Sequence, residues 1–140
     1  MLNGQDRSKR NACLALRAGL GFIWVYEGLV LKILLPPSDL ERGVVAASGL
    51  VPNGFDAPVL QVLGVMEIIL GFMVLLGHQQ RLLCIVQGAL VVFFTVAISL
   101  KHPETLGHPF GLLAKNVPIL GAVTALWFLQ GPRIKESVRP

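Results

Sequence analysis

Glu67 stands near the middle of a nineteen-residue stretch, Val59 to Gly77, that carries no other charge. Glu27 lies in a second apolar run, at what should be a similar depth. Runs of this length cross a bilayer, and a carboxylate at the centre of one costs about 2.5–3.5 kcal/mol on insertion scales. Such a group persists where a cation, a water-filled cavity or a bound ligand compensates it. Lys32, Lys115, His108 and Asn116 are expected in the same outer half of the membrane, and the four charges among these residues sum to zero. Three uses stay open: an ion-pair and hydrogen-bond network that fixes helix packing, a pocket for a ligand or substrate, and a path for protons or ions. A carboxyl group without a cation takes its neutral form in apolar surroundings, and it could then donate a hydrogen bond to a quinone or ketone oxygen.

The elements that position these groups follow from composition. The chain has 140 residues, 54% hydrophobic and 14% charged, against about 25% charged in a soluble domain. Four apolar runs account for the excess: 12–35, 57–77, 82–100 and 112–131. Each approaches the ~20 residues of a spanning helix, and none alternates as a barrel strand would. The expected fold is therefore all-α, a four-helix transmembrane bundle forming a single domain over residues 1–140. The first run is longer than a signal-peptide core and is read as an uncleaved anchor. Arg7, Lys9, Arg10, Arg81, Arg133, Lys135 and Arg139 fall at one end of the bundle, so both termini are expected in the cytoplasm. The net charge of +4 is a loop asymmetry, and no nucleic-acid partner is expected.

Within the runs, small and polar residues recur at spacings of three and four. Gly21, Trp24, Gly28 and Lys32 form one stripe, with Glu27 on its flank. Gln61, Gly64, Glu67 and Gly71 form a second, and Cys84, Gly88, Thr95 and Ser99 a third. Small residues let membrane helices approach closely, so these stripes are expected to face inward. Trp24, Gly28, Gln61, Gly64 and Gly71 are candidate pocket-lining residues, with Trp24 read first as packing. Arg17 and Lys32 can snorkel toward the two interfaces. Cys13 and Cys84 form no CxxC pair and are read as small buried residues. A thiol redox enzyme of the vitamin K epoxide reductase type would place a Cys pair on the other side.

Pro36-Pro37 ends the first run. Ser38 and Glu41 then make a capping box for a short helix over Asp39–Ser48, with Gly49 as its C-cap. Leu40, Val44 and Ala47 share one face of this interfacial helix. Pro109 suits the first turn of the last helix, and Pro118 lies inside it. Pro118 frees the carbonyl of Ala114 and makes a kinked or unwound start near Phe110 the expected arrangement. His102, Glu104 and His108 have metal-ligand chemistry, but their spacing alone defines no site and no metal is assigned. No dinucleotide, P-loop, HExxH or nucleophile-elbow motif is present.

Three strings taken in order resemble the DoxX-like membrane protein family: W-x-x-E-G-L-x-x-K-x-L-x-P from Trp24, G-V-x-E-I-x-L-G from Gly64, and H-P-F-G-x-x-x-K-N-x-P from His108. The resemblance extends over roughly Leu20 to Trp127. It implies a four-helix membrane protein. The namesake subunit belongs to a thiosulfate–quinone oxidoreductase, and other relatives occur with short-chain-dehydrogenase-like redox domains. The motif positions implied as functional are Glu27, Lys32, Glu67, His108, Lys115 and Asn116. The expectation is an inner-membrane protein whose outer-half pocket binds a small hydrophobic, quinone-like molecule beside a separate redox partner. A non-enzymatic scaffold or chaperone-like subunit and a small proton-coupled transporter that works as a homo-oligomer are the competing readings.

Overall fold

The computed structural model describes residues 4–47, 51–52, 54–101, 103 and 112–130. All regular structure among them is helical. Helix α1 runs Gly4–Leu29 and continues through a π turn, Val30–Leu34. A short α2 covers Asp39–Ala47. Helices α3, Asp56–Leu76, α4, Gln80–Lys101, and α5, Leu112–Leu129, follow. Three stretches are long and apolar enough to cross a membrane: Gly4–Leu34, Asp56–Leu76 and Gln80–Leu100. The apolar part of α5, Ala114–Leu129, is shorter. Phe22, Val62, Met66, Leu76, Phe93 and Phe128 all point outward and are exposed. Helices apolar on their outer as well as their inner faces belong in lipid.

Helix α1 begins eight residues before the expected Ala12. The polar segment Gly4–Asn11 continues the helix beyond the apolar run, and all of it is exposed. An apolar boundary marks where lipid ends, which need not be where a helix ends. At the other end the amide of Leu35 donates to the carbonyl of Val30 at 2.9 Å, the five-residue closure of a π turn. Pro36 and Pro37 then stop the helix.

The main contact pairs α1 with α3, while α4 packs on α5 and α5 returns to α1. Lipid is as apolar as leucine, so close fit rather than water exclusion holds such helices together. The α1–α3 seam is built on glycine. A methyl group placed on Gly71 would come within 2.8 Å of the Gly21 carbonyl oxygen, and one on Gly64 within 2.8 Å of the Gly28 carbonyl oxygen. Gly21 and Gly28 are each seven residues apart from one another, as are Gly64 and Gly71, so the antiparallel helices touch twice along one line. Leu20, Val74, Leu83, Val91, Val123 and Leu126 fill the centre of the bundle.

Helix α3 ends in a tight turn at Gly77, whose φ of +77° favours glycine. The amide of Gly77 bonds the carbonyls of Met73 and Val74, and that of His78 the carbonyl of Met73. Arg17 does not simply reach for an interface. Its guanidinium donates to the carbonyls of Val74, at 3.1 Å, and Leu75. A cation on the last carbonyls of a helix is favourable, because the helix dipole is negative there. At the same end Arg81 lies over the ring of Trp127, 5.7 Å from its centroid.

Candidate functional site

The second α1–α3 contact carries the first charge pair. Lys32 lies in the π turn, and its Nζ is 2.8 Å from Glu67 Oε2. Both side chains are buried, about 9% and 10% exposed. Glu67 is flanked on its own helix by the seam glycines Gly64 and Gly71. Lys32 Cβ packs where a side chain on Gly64 would have to go. Among the described residues the pair is therefore packed inside the seam.

A third charge reaches this pair. Glu41 of α2 lies 3.9 Å from Lys32 Nζ through Oε1. Its other oxygen accepts from the backbone amide of Ser38 at 3.0 Å and from the Ser38 hydroxyl at 2.8 Å. The Glu41 amide in turn reaches the Ser38 hydroxyl at 3.3 Å. This is the capping box expected from sequence, but its carboxylate also serves Lys32. The neutral four-charge set thus becomes a five-charge set in which one ammonium is shared by two carboxylates. Arg42 and Asp56, 4.0 Å apart, tie α2 to the start of α3. The side chains of Leu40, Val44 and Ala47 fall outside the described residues.

The second charge pair joins α1 to α5. Lys115 Nζ donates to Glu27 Oε1 at 2.8 Å, with Lys115 about 46% exposed and Glu27 about 18%. Next to it Asn116 is buried and donates from Nδ2 to the Thr95 hydroxyl at 2.7 Å, which itself donates to the Val91 carbonyl at 2.6 Å. Two residues on, Pro118 lies inside α5. The helix is already formed at Leu112. Phe110 and Gly111, where a kink was expected, and His102, Glu104 and His108 fall outside the described residues.

A crevice of about 370 Å³ lies between α1 and α5. Ala15, Leu16, Gly19, Leu20 and Ile23 form one wall, and Ala114, Lys115, Pro118, Ile119 and Ala122 the other. It runs about 12 Å along each helix, eight steps of 1.5 Å between its end residues. Lys115 is the charged member of its lining and stands toward the end marked by Glu27.

Two candidate positions depart from expectation. Gln61 is exposed, and Leu60 occupies the buried place. Leu60 precedes Glu67 by seven residues, nearly two whole turns, whereas the six residues from Gln61 leave it roughly 120° around the helix. In α4, Gly88 is only half-buried and a methyl group on it would meet nothing within 4 Å. The inward residue is Gln87, which is fully buried. It accepts from Trp24 Nε1 at 2.9 Å and donates to the Leu83 carbonyl at 3.1 Å. Gln87 stands three residues after Cys84 and four before Val91, both buried, and that helical spacing was the signal that could have found it. Trp24 is thereby a polar link between α1 and α4 as well as a packing residue.

Trp24, Gly28, Gly64, Glu67, Gly71 and Lys32 thus gather on the α1–α3 seam and its border with α4, and Glu27, Lys115 and Asn116 at the head of α5. Searches of curated proteins and of solved structures each found no match. The family model described as DoxX-like family matches residues 21–124, a span that contains both charge pairs and the whole glycine seam. With its apolar helices, this multi-pass membrane protein belongs to the DoxX-like family.

Proposed function

We propose that the protein holds a small amphiphile, with a quinone-like molecule as the leading candidate, in the crevice between α1 and α5, and does so beside a separate redox partner. The supporting observation is the crevice itself: an apolar slot whose lining carries one ammonium, Lys115, steadied by Glu27 at 2.8 Å. An apolar cleft with few convergent polar groups is the usual form of a small-molecule site. Lys115 is half-exposed, so a ligand oxygen can approach it without breaking the Glu27 contact. In this reading Lys32 and Glu67 do not touch the ligand. They lock α1 to α3 and so fix the wall on which the ligand rests. Four crossings of an inner membrane, α5 being the fourth and α2 lying at the outer surface, with both termini in the cytoplasm, run the crevice from the level of Arg17, at the cytoplasmic end of α3, to the Lys115–Glu27 pair near the middle of the membrane.

The test is native mass spectrometry of protein extracted gently from its own membrane. We expect a retained small molecule that disappears in Lys115→Met and survives in Glu67→Gln. Protein that is empty in every preparation would refute the reading. A second reading, a non-enzymatic scaffold subunit, is favoured by the closed Lys32–Glu67 pair within the glycine seam. It predicts a co-purifying polypeptide in place of a small molecule.

A further inference from the structure

We infer that the head group taken at the Lys115 end of the crevice is a neutral hydroxyl, one that donates a hydrogen bond as well as accepting one. The inference rests on the proposed reading that the crevice holds an amphiphile, and it specifies the head that amphiphile carries.

It starts from Pro118. A proline inside a helix has no N–H to offer the carbonyl four residues earlier, here that of Ala114. In a membrane a backbone carbonyl without a donor is costly, and helices that carry proline re-satisfy such groups from outside the ladder. Ala114 and Pro118 both line the crevice, with Lys115 between them in sequence. The same stretch of wall therefore carries an acceptor that has lost its helical donor and an ammonium with three N–H groups. One N–H of Lys115 goes to Glu27. The neighbouring Asn116 is buried, donates to the Thr95 hydroxyl on α4 and is not part of the crevice lining. The other lining residues named for α1, from Ala15 to Ile23, have only apolar side chains.

A hydroxyl satisfies both groups at once. Its O–H donates to the Ala114 carbonyl, and its oxygen accepts from Lys115. An ether or a ketone satisfies Lys115 alone, so within the quinone-like class the reduced, hydroxyl-bearing form is the one this site takes. An anionic head would compete with Glu27 for the same ammonium, and a cationic head would be repelled by it. The pairing of Lys115 with Glu27 thus selects for neutrality, and Pro118 selects for a donor.

The experiment compares 4-decylphenol with its methyl ether, 4-decylanisole, which keeps the ring, tail and acceptor oxygen but has no donor. Bound fractions are read by native mass spectrometry across a titration, for the full chain and for Pro118→Ala. Alanine supplies the N–H that closes the helical bond to Ala114. The preference is taken as a ratio between the two proteins, which cancels unequal partition of the probes into detergent. We expect the phenol to bind the parent protein roughly tenfold better than the ether, the value of one well-made hydrogen bond. We expect that preference to vanish in Pro118→Ala. Equal binding of the two probes to the parent protein would overturn the inference and leave the crevice reading standing. A preference that persists in Pro118→Ala would also overturn it, since the donor would then be meeting some group other than the Ala114 carbonyl. Failure of both probes to bind would remove the inference and the proposed function together.

Discussion

Replacing Glu67 by glutamine tests the buried pair directly. The substitution keeps the size of the side chain and removes its charge. It leaves Lys32 Nζ, about 9% exposed, without the partner that stands at 2.8 Å. Breaking a buried pair from one side costs about 3–5 kcal/mol, because the remaining charge is stranded. Two features soften that here. The glutamine oxygen still accepts a hydrogen bond, and Glu41 remains 3.9 Å away on the other side of the ammonium. We therefore expect a loss of about 2–3 kcal/mol, at or below the lower bound of that range. The assay is reversible unfolding from mild detergent into dodecyl sulfate, followed by circular dichroism. Two companions sharpen it. Glu41→Gln together with Glu67→Gln strips Lys32 of both carboxylates and should cost more than the two single changes added. Glutamine keeps the capping geometry at position 41, so the excess reports on Lys32. Lys32→Met with Glu67→Leu removes both charges and should recover most of the stability, since a buried pair can be replaced by packed apolar groups. A Glu67→Gln protein within about 0.5 kcal/mol of the parent, the scatter of neutral surface changes, would refute the argument. So would a Lys32→Met/Glu67→Leu protein as unstable as the single variants.

Gly64→Ala should destabilise by about 1–3 kcal/mol in the same assay, because the new methyl group meets the backbone oxygen of Gly28, which cannot move aside alone. Gly88→Ala is the matched control: open space surrounds it, so it should be neutral or gain up to about 1 kcal/mol in helix propensity. Gln87→Leu should cost about 1–3 kcal/mol by leaving the Trp24 N–H buried without an acceptor. Adding Trp24→Phe should return part of that loss, as read by thermal unfolding in detergent; equal stability of Gln87→Leu and the parent would show that the Trp24 bond contributes nothing.

Much of the architecture could be read from composition. Helices α3 and α4 fall within two residues of the apolar runs, because lipid demands both length and apolarity and both signals end together. The capping box at Ser38 and Glu41 was legible because its chemistry is local. The start of α1 was not, since Gly4–Asn11 is helical but polar, and the membrane argument counts only what lies in lipid. The π turn leaves no mark in residue type, yet it carries Lys32. Partner choice was equally hidden. Two glutamates and two lysines of one depth allow two pairings, and only the order of helices around the bundle sets Lys32 on Glu67 and Lys115 on Glu27. Glu41 was legible as a cap but not as a partner of Lys32, because it belongs to a segment outside the apolar runs, and Gln87 escaped notice because Gly88 beside it seemed the better match to a small-residue stripe.

The glycine seam has a consequence for assembly. Gly21-x2-Trp24-x3-Gly28 on α1 and Gly64-x2-Glu67-x3-Gly71 on α3 have the same spacing, and the antiparallel helices touch as Gly21 with Gly71 and Gly28 with Gly64. Exchanging the two helices about a local two-fold axis maps one contact onto the other and places Trp24 where Glu67 stands. Sliding one helix by a single turn destroys both contacts together, and sliding it by seven residues keeps one of them but moves Lys32 away from Glu67. The helices thus meet as a vernier with one matching position. The two residues that the axis equates break its symmetry by facing different partners, Trp24 turning to Gln87 on α4 and Glu67 to Lys32 on α1. A nearly symmetric seam thereby dictates an asymmetric placement of everything that packs around it.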